Sequence, residues 1–227
     1  MALRLQEQSK HTPYNCDECN DTAWVITPSG AKLCECEKRK RLEKLMAKIP
    51  VEYRNFDLVT IEPLPDKHEK QATLFATVKA DPALSLFLSG KNGSGKSLLG
   101  WLVYKRAAEE GRPVVFLTMS EMLRQFREWE LDPEKLPIVD SVSLRESKAR
   151  WLIVLDEAEK ARPTEFASEK LCELLDAVYS HRHQLIVTSN FDANQLREHW
   201  SKQNPVYGAS IMRRIMELDG LIQVEMF

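Results

Sequence analysis

The sequence predicts an α/β fold in which five parallel strands form a sheet flanked by helices. Three observations carry this expectation. The octapeptide Gly90-Lys91-Asn92-Gly93-Ser94-Gly95-Lys96-Ser97 stands between an apolar run and a helical pattern. A second apolar run, Trp151–Leu155, ends in Asp156-Glu157. From Asp81 onward strand and helix signals alternate, as βαβ units require.

Taken in chain order, Leu84–Ser89 has the apolar content of a buried strand and feeds the glycine-rich loop. That loop is a complete Walker A motif, G-x4-G-K-S. Its glycines let backbone N–H groups close around phosphate oxygens, and the following helix adds the partial positive charge of its N-terminus. Lys96 can reach the β- and γ-phosphates, and the Ser97 hydroxyl can ligate Mg²⁺. Gly90, Asn92, Gly93, Ser94, Gly95, Lys96, Ser97 and Leu98 are therefore the candidate nucleotide contacts, and a nucleoside triphosphate is the expected ligand. The helix opening at Leu98 stops near Gly111 and Pro113, and Val114–Leu117 is the next strand. In the helix over Ser120–Glu130, Met122, Phe126 and Trp129 recur at i, i+4 and i+7. Bases can stack on such aromatics, but a core-facing stripe is the simpler reading. Ser141–Lys148 is a further helix.

Trp151–Leu155 then aims Asp156 at the site from the end of a strand, where it can hold Mg²⁺ through water, and Glu157 can polarise the water that attacks the γ-phosphate. Glu165–Tyr179 reads as a helix whose Leu171, Leu174 and Leu175 point inward, with Cys172 among them. Strand Gln184–Thr188 leads to Asn190, which can donate to the γ-phosphate, hold the lytic water, or cap the turn before Asp192. The pattern closes with a helix over Ala209–Leu218 and a strand over Leu221–Phe227.

Ahead of this core lies different material. Four of the five cysteines fall between Cys16 and Cys36, as Cys16-x2-Cys19 and Cys34-x-Cys36 with a hairpin-like Trp24–Gly30 between them. Four thiolates so spaced suit one structural Zn²⁺, with His11 as a possible substitute ligand, and so small a module needs metal to fold. Residues 38 to about 80 read as a connector, broken at Pro63-Leu64-Pro65. The expected domains are 1–48, the zinc module and basic linker, and 49–227, the nucleotide-binding core. A hydrophobic share of 43% without any run near the ~20 residues of a membrane span indicates a soluble protein with no membrane contact. The polar Met1–Lys10 lacks a signal-peptide core, so a cytoplasmic location is expected. A net charge of −2 does not advertise nucleic-acid binding. Any DNA contact needs a local patch, for which Lys38, Arg39, Lys40, Arg41, Lys44 and Lys48 are available, although a solvated linker helix explains them as well.

The order of Gly90–Ser97, Asp156-Glu157, Asn190 and Arg213-Arg214 resembles the AAA+ ATPases. More narrowly, the chain is similar to the bacterial and phage replicative helicase loaders of the DnaC/DnaI type and their relative IstB, a transposition helper ATPase. The cysteine module before the core, the segment Ile49-Pro50-Val51-Glu52-Tyr53-Arg54-Asn55-Phe56 and the ending Thr188-Ser189-Asn190 carry the narrower likeness. The resemblance implies ATP hydrolysis, with Glu157, Lys96, Asn190 and Arg214 catalytic. Arg214 is the expected arginine finger given to a neighbouring subunit, Arg213 its alternative, and Arg182 a weaker one. It also implies a five-stranded AAA+ core without a helical lid, since Phe227 follows the last strand, so that the site is completed by self-association. The implied function is delivery of a replicative hexameric helicase to single-stranded DNA in replication initiation, from either a host or a phage. The alternative is an IstB-like helper ATPase acting on duplex DNA. Many loaders carry two aspartates where this chain has Asp156-Glu157.

Overall fold

A computed structural model describes residues 15–61, 69–218 and 220–226. The chain falls into two compact units with the break between Ala47 and Lys48. His11 and the Pro63-Leu64-Pro65 break lie outside the described residues.

The first unit contains an antiparallel hairpin, β1 (Trp24–Thr27) and β2 (Gly30–Leu33), followed by helix α1 (Glu35–Ala47). Among its described residues only Cys19 and Cys34 are buried, while Trp24 and Ile26 stand in solvent. Helix α1 buries no residue, and its charges pair along its own surface, Lys38 with Glu35 and Arg41 with Glu37. Among the described residues, apolar burial therefore contributes little to holding this unit together.

In the second unit a 3-10 turn (Val51–Tyr53) and helix α2 (Glu69–Ala80) precede the sheet. Helix α2 falls within the stretch expected to be connector; Leu74, Phe75 and Val78 give it a buried side. The remaining elements are β3 (Leu86–Gly90), α3 (Lys96–Glu109), β4 (Val114–Thr118), α4 (Met119–Leu131), α5 (Ser141–Glu146), β5 (Leu152–Asp156), α6 (Glu165–Ser180), β6 (Gln184–Ser189), α7 (Ala193–Trp200), α8 (Pro205–Met216) and β7 (Ile222–Met226). The five strands β3–β7 pair in parallel in the order β4-β5-β6-β3-β7, the expected parallel sheet.

Alternation along each strand builds a core on either face. Phe87, Ile153, Leu155, Leu185 and Val187 point one way, into a cluster with Phe126, Leu174, Trp200 and Ile215 from the helices. Met122 and Phe126 of the aromatic stripe are buried there and Trp129 packs against them, so that stripe is core. Each such side chain contributes about 1.5–3 kcal/mol by leaving water. On the opposite face α3 lies close to the sheet. A Cβ at Gly100 would stand 3.2 Å from both the Phe116 ring and Val154, so the absence of a side chain there sets the helix–sheet spacing. Trp101 then stacks on Phe116 with ring centroids 3.7 Å apart.

The buried end of the sheet away from the loop is polar but fully partnered. Gln184 donates to the Pro82 and Leu84 carbonyls at 2.8 Å and accepts from Arg112, which fixes β6 against the entry to β3.

Candidate functional site

The parallel order brings the C-terminal ends of β3, β5 and β6 to one edge, and the chemistry-bearing residues follow directly from those ends. Strand β3 delivers the glycine-rich loop. Gly90 has φ +133°, and a Cβ there would sit 1.9 Å from the Met226 carbonyl oxygen of β7, so only glycine fits. Gly95, at φ +93°, is the N-cap of α3.

Helices α4, α5, α6, α7 and α8 each begin on a side-chain cap, from Thr118, Asp140, Thr164, Asp192 and Asn204 respectively. Helix α3 has none, because Gly95 has no side chain to offer. Its first N–H groups are thus left for an anion in the loop. The Ser94 hydroxyl is buried without a hydrogen-bond partner, a second group that a phosphate oxygen would satisfy.

Lys96 curls back into the loop. Its Nζ donates to the Gly90 carbonyl at 2.7 Å, the Lys91 carbonyl at 2.8 Å and Asn190 Oδ1 at 3.1 Å. Burial pulls its pKa down, opposed by the carboxylates of Glu159, Asp156 and Glu157. The ammonium holds the loop in shape with bonds it can exchange for phosphate.

Strand β5 ends in Asp156, only 8% exposed. Its carboxylate accepts from Ser97 Oγ at 2.9 and 3.1 Å and from Thr188 Oγ1. Burial raises its pKa, while the Thr188 and Ser97 hydroxyls act the other way. The Ser97–Asp156 pair thus brings together the two residues expected to hold Mg²⁺. At Glu157 the backbone turns into the left-handed region, φ +57°. Its N–H is received by Thr188 Oγ1 at 3.0 Å, and its carboxylate pairs with Lys160. A non-glycine residue at such φ costs of order 1–3 kcal/mol and persists where the surroundings impose it. Here the turn places both Glu157 and Glu159 on the cleft while Ala158 enters the core.

Asn190, just past β6, is held from both sides. Its Oδ1 accepts from Lys96, and its Nδ2 donates to Glu159 Oε1 at 2.7 Å. The cleft formed by these groups encloses about 100 Å³ and is lined by Tyr53, the loop from Asn92 to Leu98, Glu157, Glu159, Thr188, Ser189 and Asn190. That volume is well under the ~300 Å³ or more of a site that encloses a whole small molecule. It fits phosphates, and leaves the rest of a nucleotide at the rim.

The structure therefore brings together the residues expected of the phosphate site, along with four others that sequence reasoning did not assign: Tyr53, Thr188, Ser189 and Glu159. Tyr53 reaches the cleft from the 3-10 turn; burial, then Glu52 and Asp156, raise its phenol pKa. Thr188 bridges Asp156 and Glu157, and Glu159 receives Asn190. A polar residue near the end of an apolar strand was a visible signal for Thr188. Nothing local marks Tyr53 or Glu159.

The arginines of α8 stand outside this cleft. Arg214 forms an ion pair with Asp176 of α6 and donates to Ser210 Oγ at 2.7 Å; the Asp176 bond raises its pKa further. Arg213 is exposed. Arg182, at φ +53°, follows α6 at the opposite end of β6 from Asn190, and its carbonyl receives Arg150.

In the first unit the four Sγ atoms of Cys16, Cys19, Cys34 and Cys36 lie within 4.8 Å of one another, with Cys16–Cys34 at 3.7 Å and Cys19–Cys36 at 3.5 Å. None of the four is in a disulfide. A tetrahedron of thiolates about 2.3 Å from a metal has edges of roughly 3.8 Å, so the set fits a four-coordinate ion. The Cys16 thiol is lowered to about 7, chiefly by the Cys19 backbone N–H. Cys36 is raised, first by burial. Cys172, half-buried on α6 against the core, is pushed up by burial and is far in sequence from this set.

No protein-family model matches the sequence, and no curated protein is significantly similar to it. Solved structures do share the fold. A DnaI structure is 19% identical, with 79% of this chain aligned to 95% of that one and a TM-score of 0.63. The DnaC helicase loader is 16% identical over 77% of this chain and 99% of its own, with a TM-score of 0.58. The replication initiator DnaA bound to AMPPCP and single-stranded DNA is 15% identical over 79% of this chain and 51% of its own, with a TM-score of 0.57. The chain thus shares its fold with the DnaI and DnaC helicase loader structures. Among the described residues no helix is long and apolar enough to cross a membrane.

Proposed function

We propose that this chain is an ATP-dependent helicase loader that binds a replicative hexameric helicase and delivers it to single-stranded DNA during replication initiation. The observation that supports this most is the likeness of the core to the DnaI and DnaC structures over nearly their whole length. It is joined by a cleft whose unpartnered Ser94 hydroxyl and uncapped α3 terminus suit a phosphate. One structure of this fold holds AMPPCP together with single-stranded DNA, which supports the same pair of ligands here.

In this reading the loop from Gly90 to Leu98 receives the phosphates of ATP. Lys96 gives up its carbonyl partners for the β- and γ-phosphates. Ser97 and Asp156 would hold Mg²⁺, which when bound neutralises phosphate charge. Glu157 polarises the attacking water and Asn190 orients it or the γ-phosphate, so that ATP is hydrolysed to ADP and phosphate. A neighbouring copy supplies an arginine. Arg213 can reach out without giving up an ion pair, whereas Arg214 would first have to leave Asp176. Assembly of several copies on DNA is therefore part of the proposal, as is action in the cytoplasm, where helicase and DNA meet.

Cys16, Cys19, Cys34 and Cys36 would hold one structural Zn²⁺, since the described residues of their unit bury almost no apolar side chain. Too small for chemistry of its own, this unit, residues 1–48 with its linker, serves as the helicase-docking module, and residues 49–227 serve as the ATPase core. The test is direct. The full-length protein should co-elute with a purified replicative helicase and, with ATP, load it onto circular single-stranded DNA. Lys96→Met should bind the helicase without loading it. Failure to co-elute, with capture of a transposase on duplex DNA instead, would favour the IstB-like alternative.

A further inference from the structure

An asparagine side chain is nearly symmetric in shape, and what it offers a ligand depends on which way its amide is turned. In the cleft two neighbours set that choice for Asn190. Lys96 Nζ, which can only donate, faces Oδ1 at 3.1 Å; the Glu159 carboxylate, an acceptor, receives Nδ2 at 2.7 Å. A phosphate in the loop draws Lys96 away from Oδ1. Glu159 is then the group that still fixes the amide, keeping the second hydrogen of Nδ2 directed at the cleft.

We propose that Glu159 is a positioning residue: it holds Asn190 with its N–H toward the γ-phosphate and so sets the preference of the site for a triphosphate over a diphosphate. The inference rests on the nucleotide-site reading above. Several features set Glu159 apart from a solvated acid. It lies on the turn after β5, whose backbone is held by Ala158 N–H to the Thr188 carbonyl at 2.9 Å and by Lys160 N–H to the Glu157 carbonyl at 2.9 Å. Further along, the Ala161 carbonyl receives buried His199 at 2.9 Å. Its carboxylate is therefore aimed by the fold. Its second oxygen, Oε2, is shielded from solvent without a partner, a cost to stability that a purely structural role does not explain. Of the three carboxylates around the Lys96 ammonium it also acts most strongly. Without Glu159 the amide turns freely once Lys96 has moved, and half of its orientations present an oxygen to the phosphate, where like charges repel.

The experiment compares equilibrium affinities of the full-length protein for AMPPCP and for ADP, together with Tm. Wild type should favour AMPPCP. Glu159→Ala should lose that preference by about fivefold or more, read as the ratio of the two affinities. Glu159→Gln, which keeps an acceptor for Nδ2, should recover most of it at an equal or higher Tm. In the Asn190→Ala background Glu159→Ala should change nothing further, because the two residues act as one. Additive losses in the double variant, or an unchanged AMPPCP-to-ADP ratio in Glu159→Ala, would overturn the inference while leaving the nucleotide site in place. No nucleotide binding by wild type would instead remove the reading on which it rests.

Discussion

Replacing Lys96 with methionine keeps the apolar stem in the loop and removes only the ammonium. In the structure that ammonium serves three acceptors, two of them backbone carbonyls. The cleft is open enough for water to take over at the carbonyls, so the loss of stability should stay near ~1 kcal/mol. Nucleotide binding is a different matter. Two charge-assisted bonds to phosphate oxygens contribute about 1.5–3 kcal/mol each, and wild type relinquishes its three existing bonds to form them. The net difference is about 3 kcal/mol, roughly a hundredfold in Kd. Fluorescence titration with an ATP analogue, alongside thermal unfolding, measures both quantities. Binding of ATP by Lys96→Met within threefold of wild type would refute the reasoning. A fall in Tm too large for an open, hydrated cleft would also do so, since it would make Lys96 a structural residue.

The purified protein should contain one zinc per chain by elemental analysis, and Cys16→Ser should lose it while ATP binding by the second unit persists; zinc retained after loss of all four cysteines would end that assignment. Glu157→Gln keeps the shape of the cleft but not the base, so ATP should bind and remain, with turnover down about a hundredfold or more. Mixing that variant with Arg213→Ala should restore part of the turnover if the finger comes from a neighbour, and full activity in a strictly monomeric dilution would exclude a shared site. His183 donates from Nε2 to the Leu144 carbonyl and accepts at Nδ1 from the Trp151 N–H, a pattern only the neutral ring satisfies. Burial lowers its pKa below the ordinary 6.5. The stability it contributes is complete above that value and is lost as pH falls toward the depressed folded pKa. A ring titration by NMR at or above 6.5 would contradict this.

The phosphate loop was readable because its information is local: three glycines, a lysine and a serine define it within eight residues. The same holds for Asp156-Glu157 at the end of an apolar strand. Helix α7 was not foreseen although Asp192 and Gln195 form a capping box at its start, because eight residues carry too short a period to stand out. Helix α8 begins earlier than its apolar pattern, at Pro205 behind the Asn204 cap, and that signal was available in the sequence. Tyr53 and Glu159 belong to another class. Their parts in the cleft arise from tertiary placement, one from a turn far upstream and the other from a left-handed backbone step at Glu157, and no spacing rule announces either.

The contact between Gly90 and Met226 has a bearing on how the protein is made. Strand β3 is the first of the five sheet strands to leave the ribosome and β7 is the last, yet the backbone of β7 packs directly against the loop that follows β3. That edge of the loop therefore has no packing partner until β7 is in place, although the loop's own residues were synthesised long before. On the proposed reading, a chain whose β7 is not yet paired with β3 should bind ATP more weakly than one whose sheet is complete.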